Sequence, residues 1–165
     1  MSEAGPALDP DAKRAALRMF TYAMFVVTTV DGEERGAFTA NWLSQASFDP
    51  PLVMVSVEAD SHSLPIIRSS GRFLINVLES GQRDLAGHFG KKHRHAGDKL
   101  EGIPHHQSET GLPVLDDALS YVACEVTGEI DAGDSVVVIG EVIEAKVLRE
   151  GTPLTMSEAG FRHAG

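Results

Sequence analysis

One segment of the chain combines residue types that recognise a flat ring with polar edges. It runs from Thr39 to Pro51, reads TANWLSQASFDPP, and leads directly into an apolar run. Its small residues allow backbone N–H and C=O groups to approach a ligand, and Trp42 can stack on or wall a ring. By itself the segment also suits an ordinary polar loop. Further donors and acceptors come from the side chains of Asn41, Ser44, Gln45 and Ser47.

Two other segments are places where an anion would bind. Ser61, His62 and Ser63 precede a short helical pattern that ends at Gly71, and a helix N-terminus offers free backbone amides. Between Arg83 and Lys99 the chain has five Lys and Arg residues against two Asp, with histidines interleaved. The alternative for the first segment is a helix capped by its own serines. The alternative for the second is a solvated basic loop whose charges bind nothing specific.

Other chemistries have weaker support in the sequence. Cys124 is the only cysteine, so an intramolecular disulfide is impossible, and its alternating strand context predicts a buried structural thiol. The chain contains no Walker loop, no GxGxxG after a strand and no GxSxG elbow. The remaining histidines lack a recognisable metal-ligand spacing and favour surface or phosphate-side roles: His93, His95, His105 and His106.

Composition predicts one soluble domain. The 165 residues are 42% apolar and 23% charged, which is ordinary for a single globular unit. A formal net charge of −10 argues against broad nucleic-acid binding, which needs clustered basic residues. No apolar run is long enough to span a bilayer, and the first residues lack the apolar region of a signal peptide. The expected location is the cytoplasm.

The predicted elements are mostly strands with short helices. A helix follows Asp9-Pro10 within an N-terminal arm of residues 1–19, and a hairpin turns at Asp31-Gly32. The near-continuous apolar run at 51–58 predicts a strand that is either buried on both faces or part of a closing barrel. Strands are also expected at 72–78, from 120 and after the Gly133-Asp134 turn, with a helix at 80–89 and a long loop at 90–113. Five or six strands in meander-like order favour an antiparallel barrel.

The chain resembles the flavin reductase-like family, whose members form an FMN-binding split barrel. The resemblance spans most of the chain from Phe20. It rests on VVTTVDGEERGAFTANWLSQASFDPPLVMVSVE, DSHS, SGRFLINVL, QRDLAGHFG, GD followed by VVVIGEV, and PLTMSEAGF in that order. The resemblance implies a Greek-key split barrel over residues 1–165, a homodimer with flavin near the subunit interface, and flavin reduction by NADH or NADPH.

The resemblance also implies a set of cofactor-binding residues, with no catalytic side chain and no metal. The isoalloxazine ring and ribityl chain would be lined by Thr39, Ala40, Asn41, Trp42, Ser44, Gln45, Ala46 and Ser47. The phosphate would be held by Ser61, His62 and Ser63, with further contacts from Phe89, Gly90, Lys91 and Lys92. Gly160 and Phe161 would complete the pocket.

Two positions depart from the family pattern. Many of these reductases have His where this chain has Ser135, on the nicotinamide side, and relatives often have an aromatic residue at the position of His163. The leading interpretation is a reductase that supplies reduced FMN or FAD to a partner oxidase or monooxygenase. The alternatives are a non-catalytic FMN electron carrier serving redox proteins and a barrel that binds a tetrapyrrole or deazaflavin.

Overall fold

A computed structural model describes residues 5–163 and 165 of the chain; residues 1–4 of the predicted arm lie outside it. The described strands are β1 (Phe25–Asp31), β2 (Glu34–Ala40), β3 (Leu43–Ser47), β4 (Leu52–Glu58), β5 (Arg72–Val77), β6 (His105–Gln107), β7 (Pro113–Leu115), β8 (Ser120–Ala132) and β9 (Ser135–Val147). The helices are α1 (Pro10–Leu17), α2 (Ser63–Ser70), α3 (Arg83–Phe89), α4 (His93–Ala96) and α5 (Met156–Ala159).

Seven strands form one antiparallel sheet in the order β2-β1-β5-β8-β9-β4-β3. Its two edge strands are consecutive in sequence, because β2 ends at Ala40 and β3 begins at Leu43. Two linking residues span at most about 10 Å between Ala40 and Leu43, so the sheet must curl until its edges approach each other. The predicted split barrel is thereby confirmed as a single domain built mostly of strands.

The strand order corrects the expectation of a meander. Strand β1 pairs with β5, and β4 pairs with β9, so chain neighbours are separated in the sheet as in a Greek key. The count of five or six strands is also wrong, since the main sheet has seven strands and β6 and β7 form a separate two-stranded sheet. The segment 90–113, expected to be a loop, contains α4 and β6. Both are too short to show periodicity in the sequence.

Of the two expectations for β4, burial on both faces is wrong, and a place in the wall of the barrel is observed. Val53, Val55 and Val57 are buried, whereas Met54 between them is 40% exposed. The strand therefore alternates, with one face toward the barrel interior and the other outward. Strands β1 and β5 have both faces covered, because Val26 and Val27, like Phe73 and Leu74, pack into different apolar clusters.

Two apolar clusters support the strands around the site. One fills the barrel and includes Phe73, Val138 and Cys124, with Val122 and Val126 packed against it, as the alternating pattern predicts. The other lies under α3 and α5 and includes Phe89 and Leu100. The predicted N-cap Asp9 accepts hydrogen bonds at the start of α1, a helix that buries no side chain. No described helix has the length and apolar character needed to cross a membrane.

Candidate functional site

A cavity of about 320 Å³ opens at one side of the barrel. Three segments form its walls: residues 37–42 at the end of β2, residues 60–63 at the entry to α2, and residues 89–94 after α3. This volume lies at the lower end of the range for small-molecule sites. Because these segments are distant in sequence, only the curled sheet brings them together.

The cavity brings together three of the predicted groups. Its walls include Thr39–Trp42, Ser61–Ser63 and Phe89–Lys92. The other six predicted residues do not line the described walls of the cavity; they are Ser44, Gln45, Ala46, Ser47, Gly160 and Phe161. The first four lie on the edge strand β3, and Gly160 ends α5. The cofactor role of all seventeen residues stays a prediction.

At one end of the cavity the polar side chains are already partly engaged. The Thr39 hydroxyl donates to the carbonyl of Ala86 at 2.5 Å, which attaches β2 to α3. The Asn41 Nδ2 donates to the Met156 Sδ at 3.1 Å. The Asn41 carbonyl oxygen therefore remains as an acceptor, and it can receive an N–H from a ligand ring.

The C-terminal tail reaches the same end of the cavity. The ring centroids of Trp42 and His163 are 5.2 Å apart, with a 35° angle between the planes. Arg83 holds the preceding residues, because its Nε donates to the Ala159 carbonyl at 2.6 Å and its guanidinium lies 4.9 Å from the Phe161 ring centroid. Phe161 thus packs on Arg83, and the imidazole of the tail walls the cavity beside the indole.

The opposite end offers donors for an anion. The backbone N–H of Ser63, the first residue of α2, donates to the Ser61 hydroxyl oxygen at 3.2 Å. Ser61 thus supports the helix start, as the alternative of a self-capped helix predicts. Its hydroxyl hydrogen remains available as a donor. His62 occupies the cap position without a capping side-chain bond.

Charged side chains surround this end. The Lys92 ammonium is paired with Glu58 and lies 3.8 Å from the Asp60 carboxylate. The imidazoles of His62 and His93 stack with centroids 3.5 Å apart and planes 6° from parallel. This stack joins the entry of α2 to the start of α4. This wall is therefore assembled from both segments that were expected to bind an anion, and it contains the carboxylates of Glu58 and Asp60 beside the Lys92 ammonium.

Several lining residues were missed by the sequence reasoning. Ser56 is a polar residue within the apolar run of β4, and that interruption was an available signal. Arg35 forms an ion pair with Asp98, and neither residue carries a sequence signal because 63 positions separate them. Lys99 was recognised only as part of a basic segment. Apart from Ser135 and His163, the two departures from the family pattern, the other lining residues that were not predicted as cofactor-binding are Ala37, Phe38, Glu58, Asp60, His93, Arg94 and Gly97.

Two rejected chemistries can be compared with the structure. Burial raises the pKa of Cys124 to about 12, so this thiol is held protonated within the barrel. In the described part of the chain, no three His, Cys, Asp or Glu side chains are grouped in a way that could hold a metal ion.

Ser135, one of the two departures from the family pattern, lines the cavity and is 7% exposed. Its hydroxyl donates to the Asp134 carboxylate at 3.2 Å.

The fold defines a class of protein: a small split β-barrel with a cavity at one side of the barrel. The chain belongs to the flavin reductase-like family, since the family model described as "Flavin reductase like domain" matches residues 17–165. The resemblance inferred from the motifs is confirmed.

Similar proteins span both short and long chains. The protein is 34% identical over 143 residues to diflavin flavoprotein A 1 of Synechocystis sp., covering 86% of this chain and 25% of that protein. It is 36% identical over 135 residues to HsaB of Mycobacterium tuberculosis, a flavin-dependent monooxygenase reductase subunit. This match covers 82% of this chain and 71% of that protein. The chain thus spans about a quarter of the first relative and most of the second.

A solved structure of another protein has a similar fold. The NADH:FAD oxidoreductase SgcE6 of Streptomyces globisporus C-1027 matches with a TM-score of 0.77 and 29% sequence identity. The match covers 90% of this chain and 92% of that one. The barrel is therefore shared over nearly the whole of both chains.

Proposed function

We propose that this protein is an NAD(P)H-dependent flavin reductase that binds FMN in the cavity, with FAD as the alternative flavin. The observation that carries the proposal is the cavity itself, which has an aromatic wall and an amide oxygen at one end and cations at the other. When bound, the flavin supplies the hydride acceptor, and no side chain has to become covalently engaged.

The aromatic end would orient the ring. The bond from one Asn41 N–H to the Met156 sulfur holds the amide group, and its side-chain carbonyl oxygen can accept from a ring N–H. Backbone groups of Thr39–Trp42 would read the polar ring edge. The Thr39 hydroxyl is committed to Ala86, so its role would be to hold β2 against α3. Trp42 and His163 would limit water access on their side.

The cationic end would hold the phosphate. Ser61 has a free hydroxyl donor, and Lys91 and Lys92 line the same wall. Hydrogen bonds from charged donors are worth about 1.5 to 3 kcal/mol, so one such contact changes affinity by roughly one to two decades. FMN should therefore bind more tightly than riboflavin.

A homodimer is part of the proposal. Edge strand β3 and its neighbour β4 expose apolar side chains on the outside of the barrel, with Met54 40% exposed and Phe48, beyond the end of β3, 91% exposed. Unpaired strand edges and contiguous apolar surface favour association. A dimer through this face would bury the Ser44–Ser47 region. Sedimentation equilibrium should give twice the chain mass, and a monomer mass at micromolar concentration would reject this interface.

The decisive experiment is nicotinamide oxidation. Purified protein with excess FMN should consume NADH or NADPH at a rate that depends on FMN, measured by absorbance, and boiled protein is the control. FAD replaces FMN in a parallel assay. Turnover of neither nucleotide with either flavin would reject the reductase proposal.

The electron-carrier alternative keeps one specific observation in its favour. Ser135 presents a small, nearly buried hydroxyl bonded to Asp134 where many reductases have an imidazole. A carrier would retain its flavin through gel filtration and leave both nicotinamides unoxidised. For the reductase, we propose a flavin-dependent monooxygenase as the consumer of reduced flavin, by analogy with HsaB, and a cytoplasmic location.

A further inference from the structure

Lys99 is an unusual lysine for a β-barrel of this size. It is 8% exposed, and among the residues that the structure describes it is the only charged one in the buried class. A buried ammonium is costly unless it is paired or fully hydrogen-bonded. Apolar packing does not compensate the cost of burying this charge, so the ammonium needs hydrogen-bonding or anionic partners.

The ammonium group is held by backbone carbonyls. The Lys99 Nζ donates to the carbonyl of Phe89 at 2.8 Å and to the carbonyl of Lys91 at 2.8 Å. These two acceptors flank Gly90, so one side chain ties together both ends of the turn after α3. An ammonium has three N–H donors, and these two bonds use two of them. Lys99 also lines the cavity, where the third donor can meet a ligand.

A third hydrogen bond joins helix α3 to the backbone of Lys99. The His88 Nε2 donates to the Lys99 carbonyl oxygen at 2.7 Å. Helix α3 therefore contacts the Lys99 backbone through His88, and the Lys99 side chain contacts the carbonyls of Phe89 and Lys91. The lysine and the Phe89–Lys92 turn form one rigid unit.

We propose that Lys99 positions the Phe89–Lys92 turn for the phosphate of the bound flavin and serves as the internal cation of that phosphate site. This inference rests on the proposed FMN binding and adds a residue to it. The two carbonyls fix the ammonium in place, and a phosphate in the cavity would supply the anionic partner that the described chain does not provide. Lys91 and Lys92 are exposed, and Lys92 already has Glu58 as its anionic partner.

The charge of Lys99 responds to pH in an accessible range. Burial, with a smaller contribution from the neighbouring Lys92, lowers the pKa of Lys99 to about 8. His88 on α3 and Asp98 lie next to its backbone. The other charged or titratable groups that line the cavity with it are Arg35 on β2, Glu58 on β4, Asp60 and His62 before α2, Lys91 on the turn, His93 and Arg94 on α4, and His163 in the tail. A phosphate dianion would raise the pKa of Lys99. FMN affinity should therefore fall as pH rises above about 8, by at most tenfold per pH unit.

The test measures dissociation constants of FMN and riboflavin by fluorescence titration between pH 7.5 and 9.5. Riboflavin lacks the phosphate, so the ratio of the two constants cancels titration of the ring. The phosphate itself is already dianionic in this range, because its second pKa is about 6. The wild-type preference for FMN should decline with pH.

The variants are Lys99→Met and, as the matched control, Lys146→Met at an exposed position of β9. Lys99→Met should weaken FMN binding about ten- to a hundredfold, change riboflavin binding less than threefold, and abolish the pH dependence of the ratio. Lys146→Met should behave as wild type. If Lys99→Met does not fold, Lys99→Gln and the wild-type pH series provide the same comparison.

One result would reject the phosphate site, and another would reject only the role of Lys99. If wild type binds FMN and riboflavin equally at pH 7.5, the proposed phosphate site itself is wrong. If wild type prefers FMN but Lys99→Met retains both that preference and its pH dependence, the phosphate site stands and the role of Lys99 is wrong.

Discussion

Replacing Gly36 with alanine is expected to weaken FMN binding by at least tenfold and to destabilise the fold. A Cβ at this position of β2 would lie 2.6 Å from the Ser63 Oγ and 2.9 Å from the Ser63 Cβ. Ser63 is 3% exposed and begins α2, so it cannot move into solvent. The N-terminal turn of α2, with Ser61 and His62, would have to shift. Overpacking of this kind costs about 1 to 3 kcal/mol of unfolding free energy.

The control for this prediction is Gly128→Ala on β8, where an added Cβ meets no described atom within 4 Å. Titration of both variants with FMN and riboflavin separates the phosphate end from the ring end. The double variant Gly36→Ala with Ser63→Gly removes both of the closest contacts and should recover most of the unfolding free energy. Wild-type FMN affinity and stability in Gly36→Ala would show that α2 adapts without cost.

Gly140→Ala is expected to destabilise the barrel by about 1 to 3 kcal/mol while leaving ligand preference intact. Its Cβ would lie 2.8 Å from the Cys124 Cβ and 2.8 Å from the Phe73 Cε1. Both neighbours are fully buried inside the barrel. For a chain of this length, each kcal/mol lowers the melting temperature by roughly 2 to 4 °C.

Thermal and denaturant unfolding measure this effect, again with Gly128→Ala as the comparison. The FMN-to-riboflavin affinity ratio of Gly140→Ala should equal that of wild type, because the residues around Gly140 do not line the described cavity. Adding Phe73→Leu should recover part of the lost stability. A melting temperature within 1 °C of wild type would contradict the rigid contact on which this prediction rests.

Local signals in the sequence predicted the elements that carry much of the site. The Asp31-Gly32 turn places β2 against β1, and Gly32 has a φ of +60°, which glycine adopts without strain. Gly71 ends α2 in a left-handed conformation for the same reason. The three cavity segments Thr39–Trp42, Ser61–Ser63 and Phe89–Lys92 were all identified from residue types and family motifs.

The sequence by itself determined the hairpin turns at Asp31-Gly32 and Gly133-Asp134, the strands that flank them, and the sign of the charge in the basic segment, because each depends on residues close together in the chain. Family membership followed from the order of motifs along most of the chain. Strand order, the inward face of β4, and the closure that joins β2 to β3 depend on pairings between distant segments. The same holds for the burial of Lys99 and the contact of Gly36 with Ser63. Only the tertiary structure decided these features, since a single residue's environment is set by neighbours that its own segment does not contain.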